Sequence, residues 1–168
     1  LRVSMRNHIV QSIAAVAILL AVPSYAQNAG IALSPLDING SEPVEVTADS
    51  LTVEQNTNSA TFEGNAKVVH GRLTLAAKKI VVRYNAEQSA IESVVASKNV
   101  IFTNGAEIAE AQIAVYKIGF GTLELSEDVV LVQGTNAISG DKLQLDLKTS
   151  RGKMSGIVKT IFIPKPSQ

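Results

Sequence analysis

The stretch Val44–Gly71 reads VEVTADSLTVEQNTNSATFEGNAKVVHG and decides the fold. Val44, Val46, Leu51 and Val53 are spaced among polar residues in its first part; Phe62, Ala66 and Val68 are spaced likewise in its second. Successive side chains of a strand point to opposite faces, so each run offers one apolar face and one polar face. The intervening QNTNS at 55–59 is turn chemistry, because Asn and Ser bond to their own backbone and Asn tolerates the left-handed region. The result is a hairpin with an apolar face that it cannot cover alone. Something else in the chain must stack on it.

The same phrase returns along the chain. Ala77–Ile80–Val82 repeats the spacing around Leu51, Ile113–Val115 repeats it more loosely with Glu110 in the small position, and Gly140–Leu143–Leu145 repeats it again. Asp141 recurs where Asp49 stood. The second half of the phrase, Gly64-Asn65-Ala66-Lys67-Val68, is echoed by Lys98-Asn99-Val100-Ile101-Phe102 and by Glu127-Asp128-Val129-Val130-Leu131. Gly71, Gly105 and Gly134 close three of the units. A period of about thirty residues marks stacked supersecondary units that share one continuous core. About four hairpin-like repeats fill the chain on that period.

Within Arg72–Tyr84 the alternation Leu73, Leu75, Ala77 changes phase through Lys78-Lys79 to Ile80, Val82, Tyr84. Side-chain period in a strand is two, so a one-residue shift is the work of a bulge or a corner. The shift recurs at Ala48–Leu51 and near Gly140–Leu143. Repeated corners are what a rolled sheet needs to carry strands from one layer to another. Ala106–Lys117 has the Ala and Glu content of a helix, but its apolar positions form no helical stripe and its place in the repeat makes it a strand. Ile157–Ile163 is the last strand, stopped by Pro164 and Pro166.

Outside this domain, at 44–163, lie three further segments. Residues 1–26 have the layout of a cleavable signal peptide: Arg6 and His8, the apolar run Ile9–Val22, then Ser24-Tyr25-Ala26. Residues 27–43 are a linker in which Ile31–Ile38 can supply a short edge strand, though Pro35 excludes a central one; 164–168 are a tail. Removing the signal also removes Arg2 and Arg6, leaving a slightly acidic chain without the basic excess of a nucleic-acid binder. Cysteine is absent, so an exported chain of this kind is held by burial and sheet hydrogen bonds.

Nothing gives a positive sign of an enzyme, a cofactor or a metal centre. His70 is the one histidine after the signal and is expected as a solvated turn residue before Gly71. Asp49 and Asp141 are the available paired carboxylates; their equivalent repeat positions point to a shared corner hydrogen bond, with a glycan site as the alternative. Gly119-Phe120-Gly121 is a hairpin turn, since no helix follows to offer an anion-binding N-terminus. The basic residues Lys67, Arg72, Lys78, Lys79 and Arg83 are expected on a solvated face.

What remains is an apolar inner surface. From the first unit it takes Val46, Leu51, Val53, Phe62, Ala66 and Val68; from the second, Leu73, Leu75, Ile80, Val82, Val100 and Phe102; from the rest, Ile108, Ile113, Val115, Leu123, Leu125, Val129 and Leu131. On residues alone this surface is either a trough for an apolar ligand or the packed core of an exported structural sandwich or solenoid.

The phrase Pro43-Val44-Glu45-Val46-Thr47-Ala48-Asp49-Ser50-Leu51, followed by Ala60-Thr61-Phe62-Glu63-Gly64-Asn65-Ala66-Lys67-Val68, resembles the opening of the OstA-like family of lipopolysaccharide transport proteins. So does Leu75-Ala76-Ala77-Lys78-Lys79-Ile80-Val81-Val82, and the likeness runs over most of Pro43–Ile163. The resemblance implies a rolled, twisted antiparallel β-jelly-roll, open at both ends, that binds the lipid A part of lipopolysaccharide in the periplasm. It also implies head-to-tail stacking into a bridge between the inner-membrane-anchored transport protein C and the N-terminal domain of the outer-membrane translocon. Exposing one acyl chain of about a dozen carbons to water costs on the order of 10 kcal/mol, so such a carrier needs an unbroken apolar trough and no catalyst. The expected joining edges are Val44, Glu45, Val46 and Thr47 at one end, and Ile157, Val158, Ile161, Phe162 and Ile163 at the other, used for strand addition.

Overall fold

The structure is a computed structural model that describes Ile31–Ala32 and residues 42–163. The expected signal segment, most of the linker and the tail lie outside the described residues. The described chain is all β. Its strands are β1 (Ile31–Ala32), β2 (Val44–Thr47), β3 (Ser50–Glu54), β4 (Ser59–His70), β5 (Leu73–Tyr84), β6 (Ile91–Thr103), β7 (Glu107–Lys117), β8 (Thr122–Gln133), β9 (Asn136–Asp146), β10 (Arg151–Ser155) and β11 (Lys159–Ile161). They form one antiparallel sheet in the order β1-β10-β9-β8-β7-β6-β5-β4-β2, with β3 also on β4 and β11 also on β9. The expected turn at 55–59 is a 3-10 turn, Gln55–Thr57, closed by Asn58 in the left-handed conformation. Segment 106–117, helical by propensity, is the strand β7, as its place in the repeat requires.

The six long strands β4–β9 all bend near their middles. Pairing slips between Glu63 and Ala66, Ala76 and Lys79, Ser97 and Val100, Glu110 and Ile113, and Ser126 and Val129. These slips lie side by side across the sheet. In β4, β6 and β8 the extra residue belongs to Gly64-Asn65, Lys98-Asn99 and Glu127-Asp128, whose φ angles all lie between 44° and 77°. The three echoed phrases of the sequence are therefore three copies of one bulge. In β5 and β7 the bend is a change of phase instead. The buried side runs Leu73, Leu75, Ala77 and then Ile80, Val82; it runs Ala109, Ala111 and then Ala114, Tyr116. A strand bent without either device would turn the apolar side chains of its far half outward.

The bend folds the sheet into two facing layers. The first contains β2 and β11, the second β3, β10 and β1, and the long strands cross between them. Each edge is thus broken at the bend into two short strands. At one edge the Asp49 backbone N–H donates to the Gly64 carbonyl at 2.9 Å, and its carboxylate accepts from Asn65 Nδ2 at 2.9 Å. At the other, the Asp141 side chain lies against Gly156. Between the layers Val68, Ile80, Val94, Phe102, Leu125 and Leu131 are fully buried, and each such side chain contributes about 1.5–3 kcal/mol by leaving water.

Two readings of the sequence change. Ile108, Ile113 and Val115 do not belong to the inner surface. Ile108 is 48% exposed, and Ile113 and Val115 alternate with the buried Ala114 and Tyr116. The inner face of β7 is carried by small alanines, while its larger aliphatics look out. The last strand is also shorter than Ile157–Ile163; only Lys159–Ile161 pairs, with Ala137–Ser139 of β9.

Gly64 has a φ of +77°, and a Cβ there would strike the Asp49 carboxylate. Gly64→Ala should therefore lose about 2 kcal/mol, combining the left-handed penalty with displacement of Asp49. Urea unfolding followed by far-UV circular dichroism checks this.

Candidate functional site

The candidate site is the space between the layers and the places where it reaches the surface. Ala66, Val68, Leu73, Leu75, Ile80, Val82, Val100, Phe102, Leu123, Leu125, Val129 and Leu131 all lie inside, as the sequence suggested. Val94, Ala96, Ala109, Ala111, Ala114, Tyr116, Leu143, Leu145 and Leu147 join them unannounced. The signal for the last three was the alternation with Lys142, Gln144 and Asp146; for the alanines there was little, because a methyl group barely marks a strand face. Along its middle this interior is closed.

At the β2/β3 edge it opens. Leu51 and Val53 stand opposite Phe62 and Ala60, so they share the inner face, yet they are 56% and 65% exposed. No further strand covers them among the described residues. A cleft of about 310 Å³ lies there, lined by Leu51, Val53, Ala60, Phe62 and Tyr84 and rimmed by polar residues of the 55–59 turn. On the first layer Val44 and Val46, opposite His70 and Val68, continue the same face and are half-buried. The inner surface thus runs from a buried middle to an exposed apolar mouth.

Opposite the bend, the strand ends of the two layers meet. His70 Nδ1 lies 3.3 Å from the Tyr116 hydroxyl, the rings tilted by 40° with centroids 6.4 Å apart. His70 was expected in solvent; it is only 2% exposed, because it ends β4 on the inner face and the second layer folds over it. Burial raises the Tyr116 pKa to about 12. The remaining buried polar residues among those described are Ser59, Asn104 and Glu107. Ser59 begins β4, and Asn104 and Glu107 frame the β6–β7 turn, where Asn104 Oδ1 accepts from the backbone of Ala106 and Glu107 at 3.0 and 2.8 Å. Polar groups therefore sit at strand ends, and the middle of the interior is aliphatic and aromatic throughout.

The β10/β11 edge differs from the first. Gly152 and Met154 stand opposite Leu145 and Leu143, and β1 pairs outside Gly152. Beyond it Ile157, Val158, Ile161, Phe162 and Ile163 are all exposed. The outer face of the second layer holds a groove of about 570 Å³ between Lys117, Glu124, Gln144, Asp146, Arg151 and Lys153. Hydrogen bonds from Lys142 and Gln144 hold the Glu124 carboxyl below its ordinary pKa. The walls of the groove mix these charged and polar groups with Val115, Leu123 and Leu145, and it shares no lining residue with the cleft at the mouth. Lys67, Arg72, Lys78 and Arg83 are exposed, and Lys79 pairs with Glu63 at 3.1 Å.

Asp49 and Asp141 stand at opposite sides of the sheet, six strand spacings or about 29 Å apart along it. A glycosidase pair needs about 5–9.5 Å, so these two do not form one. Among the described residues no cluster of three or more His, Asp or Glu could hold a metal ion.

Fold and site together define an open-ended β-jelly-roll whose aliphatic interior surfaces at one mouth. Comparison with known proteins places it. The profile of the LptA/(LptD N-terminal domain) LPS transport protein family matches residues 45–151, and the chain belongs to that family. The lipopolysaccharide export system protein LptA of Haemophilus influenzae is 25% identical over 162 residues, covering 90% of this chain and 92% of that one. An uncharacterized protein of Rhizobium meliloti is 27% identical over 144 residues, covering 81% and 77%. In three dimensions the chain is similar to the crystal structure of LptH of Pseudomonas aeruginosa, described as the LptA homologous periplasmic component of a lipopolysaccharide transport device. The TM-score is 0.68 at 14% identity, over 76% of this chain and 99% of that one.

The buried tyrosine gives a sign-specific expectation. Tyr116 holds its proton more tightly when folded, so its contribution is intact below pH 10 and is lost as pH rises from 10 towards 12. Comparing urea midpoints at pH 9 and pH 11.5, Tyr116→Phe should lose less stability over that interval than the parent chain. An equal loss in both would place the alkaline sensitivity elsewhere.

Proposed function

We propose that this chain is a periplasmic carrier of lipopolysaccharide that holds the acyl chains of lipid A between its two layers. The observation that carries this reading is the mouth: Leu51 and Val53 face inward yet stand in water, continuous through Phe62 with the buried lining. Leaving two large aliphatics exposed on an inner face has a cost, which an entering acyl chain recovers at about 0.8 kcal/mol per buried methylene. The interior is closed along its middle, so entry parts the layers from the mouth, with the bend as hinge and the His70–Tyr116 side as the line that opens. Copies stack head to tail through their edges, β2 and β3 at one end and β10 and β11 at the other, by strand addition. The row links the inner-membrane-anchored transport protein C to the N-terminal domain of the outer-membrane translocon. The carrier does no chemistry on the lipid; movement along the row is driven from elsewhere.

One observation favours a second reading. Val68, Ile80, Phe102 and Leu125 have 0% exposure, which is how the core of an exported structural module is packed. The two readings differ in what reaches the interior. A photo-crosslinking residue at Leu51, Phe62 or Val82 should capture labelled lipopolysaccharide, most strongly at Leu51, while one at the outward-facing Ile113 should not. Capture at none of the inner positions leaves the structural module standing.

Leu51→Asp and Val53→Asp change exposed positions, so each should shift stability by no more than about 0.5 kcal/mol. Each should nevertheless reduce lipopolysaccharide capture at Phe62 by about tenfold, since a charge at the mouth must be desolvated as an acyl chain enters. Unchanged capture in both variants would remove the mouth from the route.

A further inference from the structure

The two ends of the roll are not treated alike. At the β2/β3 edge the inner-facing Leu51 and Val53 stand open, whereas at the β10/β11 edge the chain covers itself. β1 pairs antiparallel with β10, Ile31 opposite Gly152 and Ala32 opposite Arg151. Ile31 is 8% exposed and joins the core, although some 120 residues separate it from its partner. Gly152 makes the seat: a Cβ there would come within 3.2 Å of Ile31 Cβ and 2.9 Å of Leu145 Cδ2.

Strand direction shows what this seat is shaped for. Every pairing in the sheet is antiparallel, so directions alternate from β4 through β10 to β1. On that count β1 runs in the same direction as β3. A second copy placed end on, in the same orientation, would bring its β3 antiparallel to β10 and its β2 antiparallel to β11. Its Leu51 and Val53 would then extend the inner face of the second layer, where Ile31 now sits. We propose that β1 is a self-cap that stands in for β3 of the next copy, and that it must leave β10 before the second layer can be continued. This rests on the head-to-tail stacking proposed above.

Among the described residues β1 pairs with β10 through Ile31 and Ala32, whereas β3 pairs with β4 through five residues. The β3 of an arriving copy runs in the same direction and brings five pairing residues to the same edge, so it competes with β1 for β10.

The chain has no cysteine, so Ala32→Cys with Arg151→Cys places a disulfide across this pairing alone. In the chain beginning at Gln27, the oxidised double variant should need at least about tenfold more protein to stack, measured by sedimentation velocity, and reduction should restore the parent threshold. Ile31→Asp, which weakens the cap without locking it, should lower the threshold. Stacking unchanged by the lock, or raised in threshold by Ile31→Asp, overturns the self-cap and leaves stacking itself intact. A parent chain that stays monomeric at every concentration overturns the stacking, and the cap's role with it.

Discussion

A strand can present its apolar side chains to a single core only while its alternation is unbroken, and here six strands in succession cross a bend and keep facing the same interior. Everything else in the structure depends on meeting that constraint. Two devices meet it, and they alternate. β4, β6 and β8 each spend an extra residue in a left-handed pair, and β5 and β7 slip phase by one. Because neighbours use opposite devices, each pair regains register on the far side of the bend. Asn65, Asn99 and Asp128 serve the left-handed positions, where short polar side chains are tolerated best. The bend is therefore lined with polar residues from edge to edge, and Asp49 and Asp141 belong to that line.

The same constraint explains how the interior is closed and how a carrier of the proposed kind is entered. A bend brings two halves of one sheet face to face, and the small side chains Ala66, Ala77, Ala96, Ala111 and Ala114 line it, so the layers approach closely there. Phe102 and Tyr116 fill the volume further out. No disulfide ties the layers, and the cross-layer contact of His70 with Tyr116, at 3.3 Å, is well short of a strong bond. What holds the layers together is mostly non-directional burial, which a fatty chain can replace methylene for methylene. The backbone ladders that run along each layer need not break for the layers to part.

Much of this was legible in the residues, for reasons that can be named. The bulge was visible because it uses the same short phrase three times, and the phase change in β5 because Leu73 and Ile80 are large enough to mark a face. The face of β7 was misread because Ile108, Ile113 and Val115 outweigh Ala109, Ala111 and Ala114 in any hydrophobic pattern, although the alanines are inside. Burial there is decided by the narrowness of the space, which no local pattern reports. His70 beside a glycine has the look of a turn residue in solvent, and only the second layer, contributed by residues more than forty positions later, covers it. The β1–β10 pairing was least legible. A short edge strand could be expected near Ile31, but nothing local says that its partner lies at the far end of the sheet.

That pairing resolves a conflict in what an open-ended sheet must do. Free edges bearing apolar residues invite uncontrolled association, and proteins usually blunt them with charge, proline or a covering segment. A chain that joins copies through its edges cannot blunt them permanently. Covering one layer of one end with β1 leaves the joint protected in a lone copy and, once β1 is displaced, available in a row. The first layer, where no strand among the described residues covers β11, can make the initial contact; the second can then be continued only by displacing β1. Order of assembly follows from which half-edge is capped. Continuity of the inner surface, the property that transport of an apolar chain requires, becomes the last thing the joint acquires.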